Sequence, residues 1–158
     1  MSIAVETLTG PRLIDALPDV ARLRIAVFRE WPYLYDGSVA DERHYIEPFA
    51  RRRDAVIVAA FDGGQLVGAT TGAPLLGQHP EFVAPFAAHG GLDFIAFCAV
   101  VRAAGDPRRP EGARDLAPFW CKRDYAPVDG LVTSFDWREV GDGPEEVANR
   151  MQFWLRRL

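Results

Sequence analysis

The sequence predicts an α+β fold with a mostly antiparallel, twisted sheet flanked by helices, and three observations carry that expectation. Residues 55–73 read as a β-hairpin. Val56, Ile57 and Val58 suit a pleated surface, Asp62-Gly63-Gly64 offers the positive-φ residues of a tight turn, and Leu66 to Thr71 returns. Upstream, apolar side chains recur every three or four positions, the helical period. Near the C-terminus Met151, Phe153 and Leu155 alternate with Gln152, Trp154 and Arg156, the period of a strand. The full order reads β-α-α-β-β-(short α)-β-α-β-β. A chain of 158 residues is expected to be a single domain, 1–158.

Taken in order, Ile3 to Thr9 form a first strand, broken by Thr9-Gly10-Pro11. A helix is expected from near Asp15 and Pro18 to about Trp31, where Pro32 ends it. Leu17, Ala21, Ile25 and Phe28 share one face, with Arg22, Arg24 and Arg29 largely off it. A second helix spans Asp41 to Arg53, with Tyr45, Ile46 and Phe49 apolar and Pro48 kinking it or ending it early. The run Arg51-Arg52-Arg53 lies at the negative end of that helix.

In the hairpin's return strand Gly68 and Gly72 mark a bulge or a close backbone approach. Pro80 to Ala88 suggest a short helical piece broken by Pro85 and ended by Gly90-Gly91. Leu92 to Val101 is a continuous apolar run, expected to be a strand buried on both faces. A polar loop over 102–113 gathers Arg102, Arg108 and Arg109, with Arg114 beside it. Ala113 to Lys122 follow as a helix with Leu116, Phe119 and Trp120 on one side. Gly130 to Trp137 and Val147 to Leu155 close the chain as strands joined at Gly141-Asp142-Gly143-Pro144.

Composition narrows the function classes. The chain is 49% hydrophobic and 25% charged, enough apolar material for a core. A net charge of −4 argues against a general nucleic-acid binder, which needs a basic face. Cys98 and Cys121 make no disulfide framework, and Cys98 reads as a small buried hydrophobe. A thiol enzyme built on either lacks a persuasive partner among His44, His79 and His89. Those histidines show no metal-ligand spacing either, so no metal is expected. Met1–Gly10 has no basic start or long apolar run, and no segment is long enough to span a bilayer. The expectation is a cytoplasmic protein without membrane or nucleic-acid partners.

The most ligand-like stretch is Glu30-Trp31-Pro32-Tyr33-Leu34-Tyr35-Asp36-Gly37. Trp31, Tyr33 and Tyr35 suit a pocket wall, because aromatics with a polar tip offer both apolar surface and a hydrogen bond. Glu30 and Asp36 could hold or deprotonate an amine. The competing reading is a well-packed connection carrying solvated acids.

Three stretches resemble the GNAT family of N-acetyltransferases. Ala21-Arg-Leu-Arg-Ile-Ala-Val-Phe-Arg-Glu-Trp-Pro-Tyr-Leu-Tyr-Asp-Gly37 looks like the family's first helix and acceptor-side loop. Val56 to Leu75 resembles its second and third strands, and Phe119-Trp-Cys-Lys-Arg-Asp-Tyr-Ala-Pro-Val128 the end of its last helix. The closing Met-Gln-Phe-Trp-Leu-Arg-Arg-Leu is similar to the end of a bacterial subgroup. The resemblance implies a GNAT-like fold, acetyl-CoA as co-substrate, and an amine of a small molecule or protein as acceptor. It implies Glu30 and Asp36 as catalytic, Trp31, Tyr33 and Tyr35 as substrate-binding, and Phe119, Trp120 and Lys122 as cofactor-binding.

The chain departs from the family at three points. The Arg/Gln-x-x-Gly-x-Gly/Ala loop, whose backbone N–H groups grip the cofactor's pyrophosphate, is absent. Residues 76–91 are too few to hold the missing strand and helix, so the fold is expected to be shortened by about one of each. Trp120 stands where the family often has a tyrosine that protonates the leaving thiolate, and Asp124 where it usually has glycine. The alternative is therefore a degenerate, non-catalytic module that binds a partner or self-associates as a homodimer through an exposed strand edge.

Overall fold

The computed structural model describes residues 2–74 and 93–158. The helical piece read at 80–88, Gly90-Gly91, His79, His89 and Leu92 lie outside the described residues. The fold class is α+β, with two small antiparallel sheets and three helices among the described residues. These residues fall into two compact units, one of 2–29 and 36–74, the other of 30–35 and 93–158.

In the first unit, β1 (Ile3–Leu8) leads straight into α1 (Gly10–Phe28). The sequence placed the helix start near Asp15, too late. Thr9 is the N-cap, and Pro11 occupies the first turn, where its missing N–H has no intrahelical partner to lose. The late start also misplaced the buried face. Leu13, Val20 and Ala21 are buried, with Leu17 partly so, which is a helical stripe beginning one turn earlier than the expected set. The helix ends at Phe28, short of Trp31.

Next, α2 (Val39–Ala50) begins with a reciprocal cap that was not read from the sequence. The Asp41 N–H donates to Ser38 Oγ at 3.3 Å, and the Ser38 N–H to Asp41 Oδ2 at 2.8 Å. Ile46 is buried and Phe49 packs on the core, whereas Tyr45 is exposed. The basic run engages in local ion pairs. Arg51 pairs with Glu47 at 3.5 Å, and Arg52 pairs with Asp54 at 2.9 Å while donating to the Pro74 carbonyl at 3.0 Å.

The hairpin forms as expected, from β2 (Val56–Asp62) and β3 (Gln65–Gly72), with Gly63 and Gly64 at positive φ in the turn. The sheet order is β1-β2-β3, all antiparallel, with a register shift between Ala60 and Phe61. At Gly68 and Gly72 a Cβ would make only ordinary 3.5 Å contacts with Ala60 and Val56, so crowding does not demand glycine there. Leu8, Leu13, Val20, Ile46, Ile57 and Leu66 form the heart of this unit's apolar core.

In the second unit, β4 (Phe94–Val100), α3 (Ala117–Cys121), β5 (Ala126–Arg138) and β6 (Glu146–Arg157) build a sheet of order β4-β6-β5. Burial on both faces was expected for the first of these strands, and it does not occur. Among the described residues β4 pairs only with β6, at the edge of its sheet. Phe94 is 50% exposed and only Ala99 is buried. The helix read over 113–122 shrinks to five residues. The Asp115 carboxylate caps the Ala117 N–H at 2.9 Å, and Pro118 is tolerated only in a first turn.

The strand β5 begins four residues earlier than expected, because a register shift between Pro127 and Val132 lets the chain bow outward. Gly130 takes φ +75° in the bow. The Gln152 amide donates to the Val128 and Leu131 carbonyls at 2.7 and 3.0 Å. Phe97, Trp120, Tyr125 and Trp154 pack as an aromatic cluster. Ring centroids lie 5.0 Å apart for Phe97–Trp120 and for Phe97–Tyr125, and 4.9 Å for Trp120–Trp154. Among the described residues no helix is long and apolar enough to cross a membrane.

Candidate functional site

The stretch singled out in the sequence turns sharply at Glu30, whose carbonyl accepts from the Tyr33 and Leu34 N–H groups, each at 3.0 Å. Leu34 adopts φ +54°, a left-handed conformation that a bulky residue rarely takes. It persists because neighbouring groups fix it. The Val140 N–H donates to the Leu34 carbonyl at 2.7 Å, and the Trp137 indole N–H to the Tyr33 carbonyl at 3.1 Å. Arg102 closes the set. Its guanidinium donates to the Pro32 carbonyl at 2.6 Å and to the Tyr33 carbonyl at 2.8 Å.

Arg102 is itself held by an ion pair. Glu139, 2% exposed, lies 2.6 Å from its guanidinium, and the same carboxylate pairs with Arg108. Arg108 also binds Asp106 at 2.8 Å and Asp142 at 3.1 Å. The hydrogen bonds and charge of Arg108 hold the Asp106 carboxyl down at about 2, and the Asp106 and Glu139 carboxylates hold Arg108 above its ordinary range. This clasp fastens the loop backbone carbonyl by carbonyl. Nothing local in the sequence marks Glu139 as its centre, and Arg102 and Arg108 read there only as arginines of a polar loop.

Beside the clasped loop lies a cleft of about 560 Å³, within the range of small-molecule sites. Its walls include Glu30, Trp31, Leu34, Glu111, Arg114 and Leu116. The Glu30, Glu111 and Arg114 side chains are exposed and meet no partner among the described residues. Glu111 was not singled out from sequence, because one acid in a Pro- and Gly-rich loop gives no periodic signal.

The structure thus brings Glu30 and Trp31 into one cleft and places the other candidates elsewhere. Tyr33 packs on Trp137 with ring centroids 6.2 Å apart, and Tyr35 bridges to Glu139. Asp36 lies in the first unit, ion-paired with Arg29. On α3, Trp120 is taken up by the aromatic cluster. Phe119 is exposed beneath the Arg123 guanidinium at 3.6 Å, and Lys122, the C-cap, is exposed.

Both cysteines are free. Cys121 is exposed, and burial pushes the Cys98 thiol up to about 12, so at neutral pH it behaves as an apolar side chain rather than a nucleophile. Among the described residues no group of three His, Cys, Asp or Glu side chains could hold a metal ion. No family model matches the chain, and comparison with curated proteins finds no match.

Proposed function

We propose that the chain is an N-acyltransferase of GNAT-like fold that accepts an amine in the cleft beside the clasped loop. One observation carries the amine site: Glu30, free of any partner among the described residues, lines that cleft together with Trp31. An unpaired carboxylate beside an aromatic face suits a cation. Acyl transfer is supported by the resemblance of the loop, the hairpin and the α3 end to the family, with acetyl-CoA as the donor that supplies the acyl group when bound. The exposed Lys122 ammonium offers a charge for a phosphate-bearing donor.

In this reading Glu30 takes a proton from the substrate ammonium. The freed amine nitrogen bonds to the thioester carbonyl carbon and gives up its second proton to solvent, the carbon–sulfur bond breaks, and the departing thiolate takes up a proton from solvent. Arg102 acts as a positioning residue, since it holds the carbonyls that set the loop's path. A thiol-release assay with acetyl-CoA and a panel of amines tests the reading. Turnover that falls about 100-fold or more in Glu30→Gln supports general-base chemistry. No turnover, together with no calorimetric binding of millimolar acetyl-CoA, overturns acyl transfer.

A second reading, a non-catalytic amine-binding module, is favoured by Trp120. It carries no acidic hydroxyl and is packed against Phe97 and Trp154. Saturable amine binding without thioester consumption would select it.

A further inference from the structure

The cleft holds more chemical information than a single base. Glu30 and Glu111 bring two negative charges, Arg114 brings one positive charge, and none of the three side chains is satisfied by another described residue. Trp31, Leu34 and Leu116 add apolar surface to the same walls. From this complement we infer that the acceptor is a diamino monocarboxylate, a free amino acid of the lysine or ornithine type. The inference rests on the amine-site reading and deepens it.

The chemistry of matching runs group by group. Two ammonium groups answer two carboxylates, and one carboxylate answers the planar fork of Arg114, which can grip it bidentately. An aliphatic stem between the charges answers the apolar side chains, which favour buried methylenes. A monoamine leaves one acid unanswered, and a simple diamine leaves Arg114 facing cations. An anionic acceptor meets two like charges. At about 560 Å³ the cleft has ample room for such a molecule. One wall is already fixed by the Arg102, Trp137 and Val140 hydrogen bonds, so less ordering cost is charged against binding.

Isothermal titration calorimetry on the full chain, with no acyl donor present, tests this directly. L-Lysine is titrated against two of its own fragments, pentane-1,5-diamine, which lacks the carboxylate, and 6-aminohexanoate, which lacks the α-amine. Nα-acetyl-lysine methylamide stands in for a lysine within a protein. Lysine is expected to bind tighter than each of the three by about threefold to tenfold, the scale of one partly exposed charge-assisted contact. Arg114→Met should weaken lysine to about the level of the diamine without weakening the diamine. Arg114 lies on an exposed loop, and retained diamine binding shows that the variant is folded.

Lysine binding no tighter than either fragment overturns the inference, as does lysine binding indifferent to Arg114→Met. Equal binding of the lysine methylamide overturns it in favour of a protein acceptor. In those cases the amine site itself stands. The amine site falls only if none of the four compounds binds, and acyl transfer is judged separately by thioester consumption.

Discussion

Among the described residues each unit buries one glutamate, and the two are treated differently. In the first unit Glu42 is fully buried and pairs once, receiving the Arg24 Nε–H at 2.7 Å, while its other oxygen meets no donor among the described residues. Glu42 lines a cavity together with Leu17, Ala21 and Ile46. In the second unit Glu139 also has one oxygen, Oε1, outside hydrogen-bond geometry, but that oxygen lies 2.6 Å from the Arg102 guanidinium, the other pairs with Arg108, and Arg102 fastens the cleft loop. A buried charge with a single partner is weak evidence for stability, because desolvation offsets the attraction. A buried charge that organises two cations and, through one of them, two backbone carbonyls has a positional role. The first unit is held by apolar burial and the second by a charged clasp with an aromatic cluster.

The comparison breaks most clearly if Glu139 proves dispensable. Glu139→Ala strands the nearly buried Arg102 beside Arg108 and should cost about 3–5 kcal/mol in urea unfolding. In the first unit the matching loss comes from an apolar side chain. Ile57→Ala, at a fully buried site, should cost about 2–5 kcal/mol. Glu42→Gln keeps the shape and removes the half-satisfied charge, and it should change stability by less than about 1 kcal/mol. A loss at Glu42 equal to that at Glu139 would erase the distinction.

Acid sharpens the comparison further. The Asp106 carboxyl is held at about 2 by its hydrogen bonds and ion pair with Arg108, below its ordinary value. Its contribution is therefore full above about pH 4 and is lost as the pH falls toward 2. The urea midpoint should drop across that window, and Asp106→Asn should flatten the drop. The smallest effect is chemical rather than energetic. Iodoacetamide at pH 8 should modify Cys121 and spare Cys98, a difference that mass spectrometry of the peptides resolves.

Much of the fold was legible because local chemistry dictated it. The hairpin followed from Val56-Ile57-Val58 and Gly63-Gly64, and β6 from its two-residue alternation. Errors arose where a residue type has two uses. Pro11 was taken as a breaker when it sits in the first turn of α1, and the apolar run in β4 was taken as two-sided burial when it forms an edge. Of the site, Glu30 and Trp31 were legible as a carboxylate beside an aromatic. The clasp was not, since Arg102 and Glu139 are brought together only by the β4-β6-β5 sheet and the loops that leave it. Nothing local marks either as a partner of Pro32 or Tyr33.

The bow in β5 has a consequence for how chain length can vary. Gln152 measures the distance between the Val128 and Leu131 carbonyls with one amide group. Adding or deleting a residue at Asp129 or Gly130 would move one acceptor out of the reach of Gln152. The Gly63-Gly64 turn carries no such side-chain gauge among the described residues. Insertions should therefore accumulate at the first turn and be purged from the bow, although both are short, exposed and glycine-bearing.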